Sequence, residues 1–236
     1  MPNIIHLIFS GILGFFIGLI VEWLNKRLPE HKNIFAKEFF TQYLNNTKCV
    51  KKYIIAIINA IIYIGLLYKC GVSLDFIKFA FLSPCILSAL MIDYKLQIIP
   101  NRLNLTVFEV GIVFLLIYGI LDINIAIDMF LGMLLGGGIF LIITLIGGLI
   151  AGKEAMGLGD VKLMGVLGLF FGMYNIIVIA VISFFIGAII SIFLLVTKKK
   201  TTKDYIPFGP FIVIGSYIMM FLPLSLVLDL MYKLYT

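Results

Sequence analysis

Charge is scarce in this chain. Of 236 residues only 13% are charged, while 62% are hydrophobic. A soluble domain carries roughly 25% charged residues and has too little interior to hide this much apolar surface. A soluble enzyme, a nucleic-acid-binding domain and a disordered protein are therefore excluded. Cysteine is scarce too. Cys49, Cys70 and Cys85 form no C-x-x-C pair, so neither a zinc site nor a disulfide framework is supported. His6 and His31 have no partner at metal-ligand spacing, and no metal site is expected. No long polar stretch exists in which a soluble domain would fold; the longest runs over residues 25–52.

What is present is a series of apolar segments, each near the roughly 20 residues that a spanning helix needs. They cover about residues 4–24, 53–68, 76–92, 103–121, 126–151, 158–171, 176–196 and 206–232. The expected fold is an all-α polytopic integral membrane protein with about eight transmembrane helices. The sixth segment begins among Gly and Asp residues and is parted from the seventh at Gly172–Asn175. The expected organisation is a first transmembrane helix over 1–24, a short basic loop over 25–52 and a seven-helix core over 53–236. The first segment has no basic residue before it and no small-residue cleavage site after it. It is expected to be a retained helix rather than a signal peptide.

The net charge of +6 is topological on this reading, because basic residues collect on the cytoplasmic side. With an outside N-terminus and eight crossings, the inner loops receive 15 of the 18 basic residues, including Lys26, Arg27, Lys95, Arg102, Lys162 and Lys198–Lys200. Lys69, Lys78 and Lys233 fall outside, with Asp75, Asp122, Asp128 and Asp229. The basic 25–52 loop is expected to lie against anionic headgroups, with Phe35, Phe39, Phe40 and Tyr43 dipping into the interface.

Charges near a membrane are costly and functional by default. Glu22, Asp93, Glu109 and Asp160 stand out. Asp93 closes the third segment, and Asp160 sits in Gly157-Leu158-Gly159-Asp160-Val161-Lys162. A topology built from basic residues alone places both aspartates at cytoplasmic helix ends, where two carboxylates can share a proton as in aspartic proteases. Gly157 and Gly159 leave space for an extended peptide beside Asp160; a flexible turn with a solvated aspartate is the alternative. Pro100, before Asn101, opens the fourth helix. Pro207-Phe208-Gly209-Pro210 fixes irregular backbone at membrane depth, tolerated only when buried or lining a cavity. Glu22 pairs with Lys26 at i,i+4 spacing. Glu109 is expected to be a structural carboxyl, protonated or hydrogen-bonded. The glycines from Gly132 to Gly148 are expected to allow close helix packing rather than to bind phosphate.

In order along the chain, these residues resemble the type IV prepilin peptidases. Asp93 with Ile99-Pro100-Asn101 resembles their D…I-P-N segment. Gly157-Leu158-Gly159-Asp160-Val161-Lys162-Leu163 resembles their G-x-G-D-x-K-L segment, and Pro207-Phe208-Gly209-Pro210-Phe211 their third motif. Gly18 and Arg27-Leu28-Pro29 resemble the end of their first helix. The resemblance implies a G-x-G-D intramembrane aspartic endopeptidase that cuts the short basic leader of prepilin-like precursors. The site implied is multi-pass and at the cytoplasmic face of a prokaryotic inner membrane. Asp93 and Asp160 match the catalytic aspartates; Gly157, Gly159, Lys162, Pro100, Asn101, Pro207, Gly209 and Pro210 would bind substrate or support the site. Proteolysis implies no cofactor, and S-adenosylmethionine enters only if N-methylation is retained. The chain departs from many bacterial members in having Cys49 alone where they carry two C-x-x-C pairs, and Glu22 where an asparagine is usual. Partners implied are the precursors and anionic lipid, not nucleic acid. A presenilin-like protease, a small transporter and a non-catalytic assembly protein remain alternatives; I-P-N and P-F-G-P-F speak against the first, and no internal repeat supports the second.

Overall fold

The computed structural model of the chain describes residues 2–30, 50–151, 156–199, 206–226, 229 and 233. Among the described residues seven helices follow one another: α1 (Ile4–Arg27), α2 (Val50–Cys70), α3 (Leu74–Leu96), α4 (Asn101–Leu121), α5 (Ile123–Ala151), α6 (Leu158–Val196) and α7 (Gly209–Phe221). No strand occurs among the described residues. Helices α1 to α6 are long and apolar enough to cross a membrane, and α7 is a shorter apolar helix. Large side chains such as Ile4, Phe9, Leu116, Ile120 and Leu149 point outward and are exposed. An outer surface this apolar belongs to a polytopic membrane protein. The chain divides into two compact units, residues 1–92 and 93–236.

In the first unit α1 and α2 pack through small residues. A side chain at Gly14 or Gly18 would collide with Tyr63 or with the Ala56 backbone of α2, so the helices approach at backbone distance. Asn59 of α2 donates to the Gly14 carbonyl at 2.8 Å. Pro84 lies inside α3 and has no N–H to give to the Ala80 carbonyl one turn earlier. The Tyr63 hydroxyl donates to that carbonyl instead, at 2.5 Å. Glu22 pairs with Lys26 at 3.4 Å, as its spacing suggests, but is itself only 4% exposed in its side chain.

The second unit is built on α5 and α6. At 39 residues α6 would be about 58 Å long if straight. It is not straight. A Cβ on Gly136 would meet both the Met164 carbonyl and the Ile176 side chain, whereas twelve residues of straight helix span about 18 Å. The chain reverses at Gly172 (φ 77°, ψ 177°), a conformation open essentially to glycine alone. The two arms, residues 158–171 and 173–196, run antiparallel against α5. The expected sixth and seventh segments are therefore two helical arms with a one-residue break. Their free ends are closed by side chains. Asp128 of α5 accepts the Met173 N–H at 3.0 Å, and Asn175 donates to the Phe171 carbonyl at 2.7 Å. Gly132 and Gly168 bring α5 and the first arm together so closely that a Cβ on either would overlap the other's neighbouring backbone.

One expectation needs correction. The eighth segment does not continue as one helix to about residue 232, because α7 ends at Phe221 and Leu222 is extended (φ −99°, ψ 139°). Pro223 forces this by excluding the helical conformation from the residue before it. Glu109, expected to be a protonated or hydrogen-bonded structural carboxyl, is exposed on α4, since the face of α4 that packs carries Leu103, Val107, Gly111 and Phe114. The expected loop surface, with Phe35, Tyr43 and Cys49, lies outside the described residues, as do Glu154 and Lys203.

The reversal at Gly172 gives a direct stability test. Gly172→Ala places a methyl group on the Asp128 carboxylate and is expected to lower unfolding stability by about 1–3 kcal/mol. Asp128→Ala strips one N–H of its acceptor and should lose about 1–2 kcal/mol, with Asp128→Asn closer to wild type. Unfolding by titrated SDS in mixed micelles measures all three.

Candidate active site

Asp93 lies in the last turn of α3, one turn before the helix ends rather than at its end, and is 3% exposed. Its Oδ2 accepts the N–H of Gly209 at 3.0 Å. Gly209 is the first residue of α7, with Pro210 behind it at a position where a helix needs no N–H. The carboxylate thus sits on the positive end of a helix. A Cβ on Gly209 would lie 2.5 Å from Oδ2, which explains why glycine stands there. The aim of that N–H is set by Phe208, whose ring packs against Phe184 (5.0 Å between centroids), Phe211 (5.7 Å) and Phe140 (5.9 Å).

The chain leaves α3 through Gln97, a non-glycine residue in the left-handed region (φ 56°). Its N–H closes the last turn on the Asp93 carbonyl at 2.9 Å. Ile98 and Ile99 follow without helical structure, as the proline after them requires. Pro100 caps α4, and its carbonyl accepts the N–H groups of Leu103 and Asn104.

Asp160 sits in the first turn of α6, where Gly157 is the N-cap. It is 3% exposed, and its Oδ1 is buried with no hydrogen-bond partner among the described residues. Gly159 lets the turn lie against Ile99, whose Cβ would be 3.2 Å from an added methyl group. Asn104 ties the turn to α4 by donating to the Gly159 carbonyl at 3.3 Å. Lys162 donates to Asn101 Oδ1 at 2.9 Å and makes a second tie.

Asp93 and Asp160 line one open cavity of about 370 Å³, together with Gln97, Ile99, Asn101, Gly157, Gly159 and Lys162. The two carboxylates interact electrostatically. Of the residues singled out from the sequence, Asp93, Asp160, Gly157, Gly159, Lys162 and Asn101 meet here. Pro100 and Gly209 do not line the cavity but hold what does. Pro207 and Pro210 flank the start of α7. Gln97, Asn104 and Phe208 escaped the sequence reading as site residues; the only available signal was their position within or one turn after the motifs. No group of three or more His, Cys, Asp or Glu placed to hold a metal ion occurs among the described residues. The arrangement offers two buried carboxyls, water access and a nearby cation. Those are the parts of an acid–base pair acting on a carbonyl.

The role of Gly209 is testable without a substrate. Gly209→Ala must displace either the Asp93 carboxyl or the start of α7, and is expected to lower SDS-unfolding stability by about 1–3 kcal/mol. Gly159→Ala pushes only on Ile99 and should lose less than about 1 kcal/mol. Equal losses would contradict the geometry.

Comparison with known proteins points the same way. The Type IV leader peptidase family matches residues 80–192, which contain both aspartates. The prepilin leader peptidase/N-methyltransferase of Aeromonas salmonicida is 30% identical over 127 residues, covering 54% of this chain and 43% of that protein. The protein of the same name from Escherichia coli K12 is 29% identical over 133 residues, covering 56% and 57%. That from Legionella pneumophila is 33% identical over 136 residues, covering 58% and 46%. The chain thus spans about half the length of the relatives it matches. No solved structure matches it significantly. Through residues 80–192, just under half of the chain, and through the ordered motifs that fold into one cavity, the chain is similar to the Type IV leader peptidase family.

Proposed function

We propose that this protein is a membrane-embedded aspartic endopeptidase that cuts the short basic leader from prepilin-like precursors. The observation that carries the reading is the pair of buried carboxylates on one cavity, Asp93 held by the Gly209 N–H and Asp160 with an unpartnered oxygen. The names of the relatives support the same substrate class.

In the proposed mechanism one carboxyl is ionised and the other protonated. The ionised group takes a proton from a water as its oxygen attacks the scissile carbonyl carbon. The protonated group donates to the carbonyl oxygen, giving a neutral tetrahedral diol. Collapse breaks the C–N bond: the leaving nitrogen takes a proton from the group that acted as base, the other aspartate takes back a proton from a diol hydroxyl as the carbonyl reforms, and the pair returns to its single-proton state. No metal or cofactor enters. Gly157, Gly159, Asn101 and Lys162 shape the peptide's path, and Pro100, Pro207, Gly209 and Pro210 keep the two aspartates in register.

The basic inner loops support an orientation with the aspartate ends of α3 and α6 at the cytoplasmic face of a prokaryotic inner membrane. Contacts with anionic headgroups belong to the same proposal. Whether the new amino terminus is also methylated, with S-adenosylmethionine as donor, is a separate question that product mass answers. With Cys49 alone in the first loop, we propose a peptidase that leaves its product unmethylated.

The test is incubation of the purified protein in vesicles with a pilin-like precursor. Asp93→Asn and Asp160→Asn are each expected to lower cleavage by about a thousandfold or more. The double variant should be little worse than either, because the pair acts as a unit. A metal chelator should leave the rate unchanged. Wild-type cleavage by either variant, at normal expression, would sink the assignment.

A further inference from the structure

A second depression adjoins the aspartate cavity. It is a groove of about 390 Å³ between α4 and the first arm of α6. Its floor is apolar: Leu105 and Phe108 from α4, 56% and 36% exposed, and Val166 from α6. Asn101 and Lys162, hydrogen-bonded to each other, line both the groove and the aspartate cavity. They form a threshold that an extended chain would cross in passing from one to the other.

The groove wall holds Asn104, 4% exposed. Its amide nitrogen is committed to the Gly159 carbonyl, which fixes which way the amide points. Its Oδ1 is buried and has no donor among the described residues. A buried acceptor without a donor is costly, more so in a hydrocarbon setting. An occupant that supplies an N–H would relieve it. The oxygen is shielded from water, so a donor reaches it only as the groove opens around that occupant.

We propose that this groove is a substrate subsite, taking an extended apolar segment of the peptide that continues from the scissile bond. The proposal rests on the peptidase reading above and adds to it where the apolar side of the substrate lies. Apolar side chains would cover Leu105, Phe108 and Val166. A main-chain N–H would meet Asn104, and Lys162 would donate to a main-chain carbonyl at the threshold. Lipid is the competing occupant, since Lys162 and Arg102 stand at the rim and attract phosphate. An acyl chain, however, carries no N–H for Asn104, and a lipid has no reason to continue into the aspartate cavity. A peptide answers both.

The experiment compares two synthetic substrates, a short peptide ending just beyond the scissile bond and the same peptide extended by several apolar residues. Wild-type protein in vesicles is expected to favour the extended peptide by about tenfold or more in kcat/KM, mostly through KM, as burial of one or two large apolar side chains implies. Leu105→Trp, which fills the groove from an exposed position, should bring that ratio close to one. Asn104→Leu, as a second variant, should lower the ratio also, while Asn104→Gln restores part of it. Equal use of both peptides by the wild type would overturn the subsite while leaving the peptidase reading intact. Cleavage of neither would overturn both. If Leu105→Trp left the ratio unchanged and instead displaced a photoreactive phosphatidylglycerol probe, the groove would hold lipid and the proposal would be wrong.

Discussion

In hydrocarbon no water completes a hydrogen bond, so a polar group buried in this chain must be answered from another part of the chain. Most are. Tyr63 answers the carbonyl that Pro84 leaves open, Asn59 answers Gly14, Asp128 answers Met173, and Ser183 reaches the Phe211 carbonyl at 3.2 Å. Gly209 answers Asp93 in the same way. Against that background the exceptions carry information. Among the described residues, the buried side-chain atoms with no partner are on Glu22, Asn104 and Asp160. Two of the three flank Gly159. A structure that satisfies its polar groups nearly everywhere leaves acceptors open beside the G-x-G-D turn, where a water or a peptide would supply the donors.

Close approach of backbones makes that turn possible. The first arm of α6 lies so near α5 that Gly132 and Gly168 exclude any side chain from each other's place. The arm then returns at Gly172 under the hold of Asp128. The reversal leaves Asp160 and the tip at Gly172 at opposite ends of one short arm. Phe140 of α5 and Phe184 of the second arm meet Phe208, and through it the geometry of α5 and α6 is passed to Gly209 and so to Asp93. Each aspartate is thus positioned by packing remote from its own motif.

This division explains what could be read from the sequence. The two aspartates, the I-P-N segment, the paired glycines and the proline–glycine–proline run are local signals, and each folds into the cavity or against a residue that lines it. The break near Gly172–Asn175 was legible because glycine and asparagine punctuate an otherwise apolar run. The partners were not legible. Gly209 meets Asp93 from 116 residues away, Asn104 meets Gly159 from 55, and Asp128 meets Met173 from 45. Such bonds have no period and no local composition to betray them. Asp128 read as an outer-side charge, and Glu109 as a protonated or hydrogen-bonded structural carboxyl, because sequence shows a charge inside an apolar segment but not the face it occupies.

The central claim is that Asp93 and Asp160 form one acid–base pair in a single cavity. An epoxide reagent that enters the cavity tests it most directly, since an ionised carboxylate opens the ring to form a stable ester while a protonated one does not. The account predicts one equivalent of label per chain, carried by Asp93 or Asp160 and not by both, with loss of precursor cleavage in proportion to labelling. Full cleavage by fully labelled protein, or inactivating label found on neither aspartate, would contradict it.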